Sequence, residues 1–137
     1  HDFVIVNMHK SLYGDIKQDS TVKKIAPLFT NVFDKHNVDL VISGHDHEYS
    51  RTKPLYNNTI NKRGTVYLDI GSSGDKRRST GESIKSSDLY EKYIDLVKNN
   101  YSLGIVGFLN NEELLLEIRN QSYELVDYCK IIKKKHI

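Results

Sequence analysis

The sequence predicts an α/β fold built in two parts, a parallel strand–helix–strand unit followed by antiparallel strands, an α+β layout overall. Three observations carry that reading. Two short, nearly continuous apolar runs, Phe3 to Met8 and Val38 to Ile42, bracket a segment of helical period. Such runs read as strands buried on both faces, as in a parallel sheet covered by helices. After Tyr101 come strand-length runs separated by short turns, which antiparallel neighbours allow and parallel ones do not.

Phe3-Val4-Ile5-Val6-Asn7-Met8 is the first strand, and His9 follows at its end. Lys10 to Asp19 carries Gly14, Asp15, Gln18 and Asp19 and reads as a loop. Asp19 or Ser20 caps a helix whose apolar residues Val22, Ile25, Ala26, Phe29, Val32 and Phe33 fall at helical spacing. Pro27 lies inside that pattern. Its ring clashes with the carbonyl four residues back, so the helix should start late or kink there. It ends near His36-Asn37, and Val38 begins the second strand. A strand–helix–strand crossover makes its strands parallel, with their C-terminal ends on one sheet edge. Open α/β sheets bind ligands at that edge. His9 follows one strand, and His45 and His47 follow the other, so topology alone brings three imidazoles together.

Thr52 to Arg63, with Pro54 and Asn57-Asn58, reads as a loop. Gly64 to Gly71 is a strand rich in β-branched and aromatic residues. Ser72 to Ser87 reads as a long loop. Ser86 or Ser87 then caps a short helix carrying Leu89, Tyr90, Tyr93, Ile94 and Val97. The closing strands are Ser102 to Leu109, Glu113 to Arg119 and Glu124 to Ile132, with turns at Asn110-Asn111 and Asn120 to Ser122.

The bulk properties narrow the function classes. A chain of 137 residues suits one domain and is too short for two ordinary ones. A net charge of +2 is too small to argue for nucleic acid, and Lys133 to Lys135 reads as a solvated tail. No apolar run approaches the roughly 20 residues that span a bilayer. Cys129 is the sole cysteine, so an internal disulfide is excluded. The chain opens without methionine or a visible signal peptide, and a strand begins by Phe3. An N-terminal piece is therefore expected to be missing.

The chemistry concentrates in Gly44-His45-Asp46-His47-Glu48-Tyr49-Ser50-Arg51. Neutral imidazoles are the commonest protein metal ligands. In an extended segment His45 and His47 would face one site; in a loop they can diverge onto two neighbouring metals. Gly44 is expected to let the backbone turn. Asp46 can hold a histidine N–H from behind. His1, His36 and His136 lack such a context and read as surface residues. Asp15 and Asp75 read as loop turns.

This stretch resembles the Gly-His-x-His-x-Tyr-x-Arg signature of purple-acid-phosphatase-like metallophosphoesterases, in the calcineurin-like superfamily. Val6-Asn7-Met8-His9 resembles that family's preceding strand-end histidine, and Gly64 to Gly74 its next strand and glycine turn. The closing hairpin and Val126-Asp127-Tyr128 resemble its C-terminal end. The resemblance implies an αββα sandwich of two sheets with helices outside, and a dinuclear centre of Fe, Zn or Mn. By motif position His9 and His45 bind one metal and His47 the other, with Asp46, Tyr49 and Arg51 supporting them. A metal-bridging hydroxide would attack a phosphate mono- or diester. It also favours an extracellular or cell-surface location.

Departures from the family are equally informative. Its Gly-Asp-x-Gly, Gly-Asp-x-x-Tyr and Gly-Asn-His stretches, which bring the remaining ligands, are absent. So is a second histidine after His9; Lys10, Tyr13 and Lys17 are weak substitutes. Residues 1–137 are therefore expected to be the C-terminal part of a larger catalytic domain. They would carry half the metal site, act with a missing N-terminal half of the same protein, and be inactive or nearly so alone. No nucleic-acid or membrane partner is expected. The competing readings are a non-catalytic His₃ metal-binding module and a structural or polyanion-interacting domain.

Overall fold

The computed structural model describes residues 2–14, 20–71 and 82–134. The elements are β1 (Ile5–Lys10), α1 (Ser20–Lys35), β2 (Leu40–Gly44), β3 (Tyr49–Thr52), β4 (Leu55–Tyr56), β5 (Thr59–Ile60), β6 (Val66–Asp69) and α2 (Glu82–Lys85). Then follow β7 (Tyr90–Ile94), α3 (Leu96–Asn99), β8 (Gly104–Leu109), β9 (Glu113–Arg119) and β10 (Leu125–Ile132). One sheet has the order β1-β2-β6-β3-β7 and a second the order β10-β9-β8. β1, β2 and β6 run parallel, whereas β3 is antiparallel to β6 and β7. The parallel unit followed by antiparallel strands is thus as the sequence reads.

Strand alternation separates two cores. Leu40 on β2 and Val66 and Leu68 on β6 belong to a cluster with Leu114, Leu116 and Ile118 of β9. Their neighbours Val41 and Tyr67 face the opposite way, into a cluster with Phe33 of α1, Leu12 and Tyr13. The five-stranded sheet is therefore sandwiched between the second sheet and α1. Leu40, Leu68 and Ile118 are 0% exposed, and each such side chain contributes about 1.5–3 kcal/mol.

Four expectations need correction. β1 is not buried on both faces: it is an edge strand, with Ile5, Asn7 and His9 exposed and the alternate residues half-buried. α1 runs through Pro27 from Ser20, so of the late start and the kink expected at Pro27 the late start is excluded; the cap candidate Asp19 lies outside the described residues, and Ser20 is the first residue of the helix. The helix buries Val22, Thr30 and Phe33 but leaves Phe29 and Val32 exposed. Thr52 to Arg63 contains the β4–β5 hairpin, closed by Asn57 and Asn58 at φ 48° and 58°. Positive φ at both turn positions matches the twist of a two-residue hairpin, and asparagine tolerates it.

The fourth correction concerns 82–97. Tyr90 to Ile94 is strand β7, paired along β3, not helix. A four-residue spacing such as Tyr90 to Ile94 is even, so it satisfies the strand period as well as the helical one. Aromatic and β-branched side chains favour the strand once β3 supplies partners for the backbone. Asp95 then caps α3, its Oδ1 accepting the Lys98 N–H at 2.9 Å. The loop expected over Ser72 to Ser87 needs the same correction: its residues 82–85 form the short helix α2, while 72–81 lie outside the described residues.

Candidate metal centre

Topology brings two of the three expected histidines, His9 and His45, together. β1 and β2 pair in register Ile5↔Leu40 to Asn7↔Ile42, then shift so that Lys10 faces Gly44. One extra residue of β1 is thereby accommodated, a bulge that re-aims the strand end carrying His9. His9 Nε2 lies 3.2 Å from His45 Nδ1, and the rings meet nearly edge-on at 74°. In the metal-free protein one ring N–H donates to the other nitrogen. An ion about 2.0–2.1 Å from both nitrogens would see them at about 103°, near the tetrahedral angle. The pair therefore fits a single metal ion.

The turn that presents His45 is strained, and not where the glycine suggested. Gly44 completes β2, and a Cβ there would meet nothing closer than 3.7 Å. Positive φ falls instead on His45, at 75°, and on His47, at 53°. The Asp46 N–H donates to the Gly44 carbonyl at 3.0 Å, closing a three-residue turn about His45. A γ-turn with positive central φ is rare and strained, and strain of this kind concentrates at functional sites. His47 turns its Nδ1 into the interior, where that atom has no hydrogen-bond partner among the described residues. A buried imidazole nitrogen of this kind is free to ligate a metal ion.

Tyr49 and Arg51 reach across to the second sheet. Both grip Asp127 of β10: the Tyr49 hydroxyl donates to Oδ2, Arg51 Nε donates to Oδ2 at 2.9 Å, and Nη2 to Oδ1 at 3.2 Å. Burial alone would raise the Asp127 carboxyl, but the Arg51 and Tyr49 hydrogen bonds outweigh it and hold it below its ordinary range. Tyr49, fully buried, is driven upward by burial first and by the Asp127 bond second, and stays a phenol. The pair ties the strand after the histidines to the second sheet. Asp127 had no assigned role in the sequence. Its signal was a charge sharing the inward register of Cys129 and Ile131.

Asp46, Glu48 and Asp69 bring carboxylate oxygens within 4.8 Å of one another. Burial, then the Asp46 charge, raises the Asp69 carboxyl well above its ordinary range. Tyr13 is buried, with its hydroxyl on Asn58 Oδ1, which does not suit it to contact phosphate. Lys10 ends β1 half-buried, His36 is exposed, and Lys17, Asp15, Asp75, His1 and His136 lie outside the described residues. An open depression of about 430 Å³ lies beside His9, lined by Asn7, Ser43, Gly44 and Ile70. Among the described residues no helix is long and apolar enough to cross a membrane.

No protein-family model matches the chain. It is 31% identical to purple acid phosphatase 21 of Arabidopsis thaliana over 75 residues, covering 54% of this chain and 17% of that protein. It is 25% identical to acid phosphatase type 7 of Danio rerio over 140 residues, covering 93% and 30%. The chain thus spans less than a third of these relatives. Among solved structures, purple acid phosphatase PPD1 from yellow lupin superposes with a TM-score of 0.70 at 18% identity, over 93% of this chain and 24% of that one. GAP50, the anchor in the inner membrane complex of Plasmodium, superposes with a TM-score of 0.64 at 17% identity, over 98% and 38%. The chain resembles purple acid phosphatases in sequence and has the fold of a purple-acid-phosphatase-like metallophosphoesterase.

Proposed function

We propose that the chain supplies one half of a dinuclear metal centre in an enzyme that hydrolyses phosphate mono- or diesters. His9 and His45 hold one ion and His47 the other. The observation that carries this reading is the 3.2 Å approach of two imidazole nitrogens from the ends of parallel strands. Resemblance to purple acid phosphatases supports the reaction class.

When bound, ions of the Fe, Zn or Mn group would polarise the phosphate and make a water acidic enough to attack near neutral pH. The residues of this chain bind and position. The bulge in β1 aims His9, the strained turn aims His45, and Asp46 stands between the two motif histidines. The grip of Asp127 on Tyr49 and Arg51 anchors the strand that follows. The depression beside His9 gives a phosphate ester room to approach. The remaining carboxylate and asparagine ligands come from an N-terminal half that also covers the exposed face of β1, so residues 1–137 form one part of a larger catalytic domain. An extracellular or cell-surface location accords with this family.

Zinc titration of the purified chain should show binding that His45→Ala weakens at least tenfold. Joining the natural upstream sequence should bring hydrolysis of an aryl phosphate. Robust metal-dependent turnover by the 137 residues alone would refute the half-site. The likeness to an anchor protein favours a non-catalytic second reading; zinc binding with no hydrolysis even in the longer chain would select it.

A further inference from the structure

The second cluster of potential ligands differs from the first in kind. Asp46, Glu48 and Asp69 offer only oxygens, whereas the histidine site offers only nitrogens from this chain. Two of the three carboxylates are inside the protein: Glu48 is 0% and Asp69 1% exposed, whereas His9 is exposed. Asp69 Oδ1 accepts the Gly71 N–H at 3.0 Å, and its buried Oδ2 accepts no hydrogen bond from the described residues. A carboxylate oxygen inside a protein without a donor is costly unless positive charge meets it.

The surroundings are built around these carboxylates. A Cβ on Gly14 would lie 1.7 Å from Asp46 Oδ2, so any larger residue there would push the Asp46 carboxylate aside. A Cβ on Gly71, at φ +71°, would lie 2.3 Å from the Glu48 carbonyl. Ser11, 6% exposed, places a polar hydroxyl beside Asp69 that opposes the rise of its carboxyl. Hard cations choose all-oxygen shells. Three carboxylates, two of them buried, suit calcium, which takes about six to eight oxygens in flexible geometry, better than magnesium, which keeps several waters and takes one or two carboxylates.

We propose that Asp46, Glu48 and Asp69 form a cation site for calcium, a hard divalent ion, separate from the histidine site, which staples the His45–His47 loop to the end of β6. The ion would bind from the metal-free protein with no covalent change. The proposal stands whether or not the histidine reading holds.

The test is thermal denaturation and calorimetric titration of the chelator-treated protein with calcium, magnesium and zinc chlorides. Calcium at about 1 mM should raise Tm by about 5 °C. That shift should persist in His45→Ala, which loses the zinc response. Asp69→Asn should weaken calcium at least tenfold while keeping the zinc response. Glu48→Gln should do the same, should Asp69→Asn fail to fold. No calcium response at millimolar concentration would overturn the proposal, a proton or a protein cation then neutralising the cluster. A calcium response that survives both substitutions, or is lost in His45→Ala, would overturn it equally.

Discussion

Replacing His45 by glycine should leave a more stable metal-free protein than replacing it by alanine, against the usual order. Either change removes the imidazole and its 3.2 Å contact with His9, so that loss cancels in the comparison. What differs is the backbone. At φ 75° a residue with a Cβ carries strain of order 1–3 kcal/mol, which alanine keeps and glycine relieves. Glycine costs about 0.4–1 kcal/mol through the greater freedom of its unfolded chain. The difference favours glycine by about 1 kcal/mol, or about 2–5 °C in Tm at this chain length. Differential scanning calorimetry of the two variants in chelator reads it directly. An alanine variant as stable as the glycine variant, or more so, would refute stored strain at His45. In the wild type the fold sustains that strain, and a bound ion would help hold the turn.

Asp127→Ala should cost about 3 kcal/mol, because Arg51, with a side chain 13% exposed, is left charged without its partner; urea unfolding measures it. The folded Asp127 carboxyl is depressed, so its contribution is complete above the ordinary value near 3.9 and is lost as pH falls through the folded value. The Tm gap between wild type and Asp127→Asn should therefore hold steady above about pH 5 and close below about pH 4. Gly71→Ala puts a Cβ 2.3 Å from the Glu48 carbonyl at a positive φ, and should lower stability by about 3 kcal/mol and zinc affinity with it. Tyr13, raised to about 12 by burial and then by the Asp34 charge, contributes stability that is complete below pH 10 and is lost as pH rises toward 12. Tyr13→Phe should unfold at higher pH than wild type in an alkaline titration followed by circular dichroism, once its lower starting stability is subtracted.

What the sequence made legible is what short-range pattern encodes. The apolar runs, the helical period over 20–35 and the late hairpin placed the parallel unit, and with it the meeting of His9 and His45. What it hid depends on distant partners. Tyr90 to Ile94 suits helix and strand alike, and only pairing with β3 decides it. β1 reads as doubly buried because its residues are apolar, but burial depends on a neighbour along its edge and not on its own composition. The grip of Asp127 on Tyr49 and Arg51 spans 78 and 76 residues, beyond any local period. The strained turn escaped because Gly44 seemed to account for it, while φ was positive at the histidine beside it.

The Asp127 grip also sets a lower limit on how far the chain can be shortened. His9, His45 and His47 lie in its first half, which makes residues 1–71 a tempting metal-binding peptide. Ending it there would remove the acceptor that neutralises Arg51 and orders Tyr49, together with β9, whose Leu114, Leu116 and Ile118 roof the five-stranded sheet. Backbone amides of β3 and β10 should accordingly exchange with solvent in one cooperative opening, and the shortest fragment that keeps the geometry of His45 must extend through Asp127.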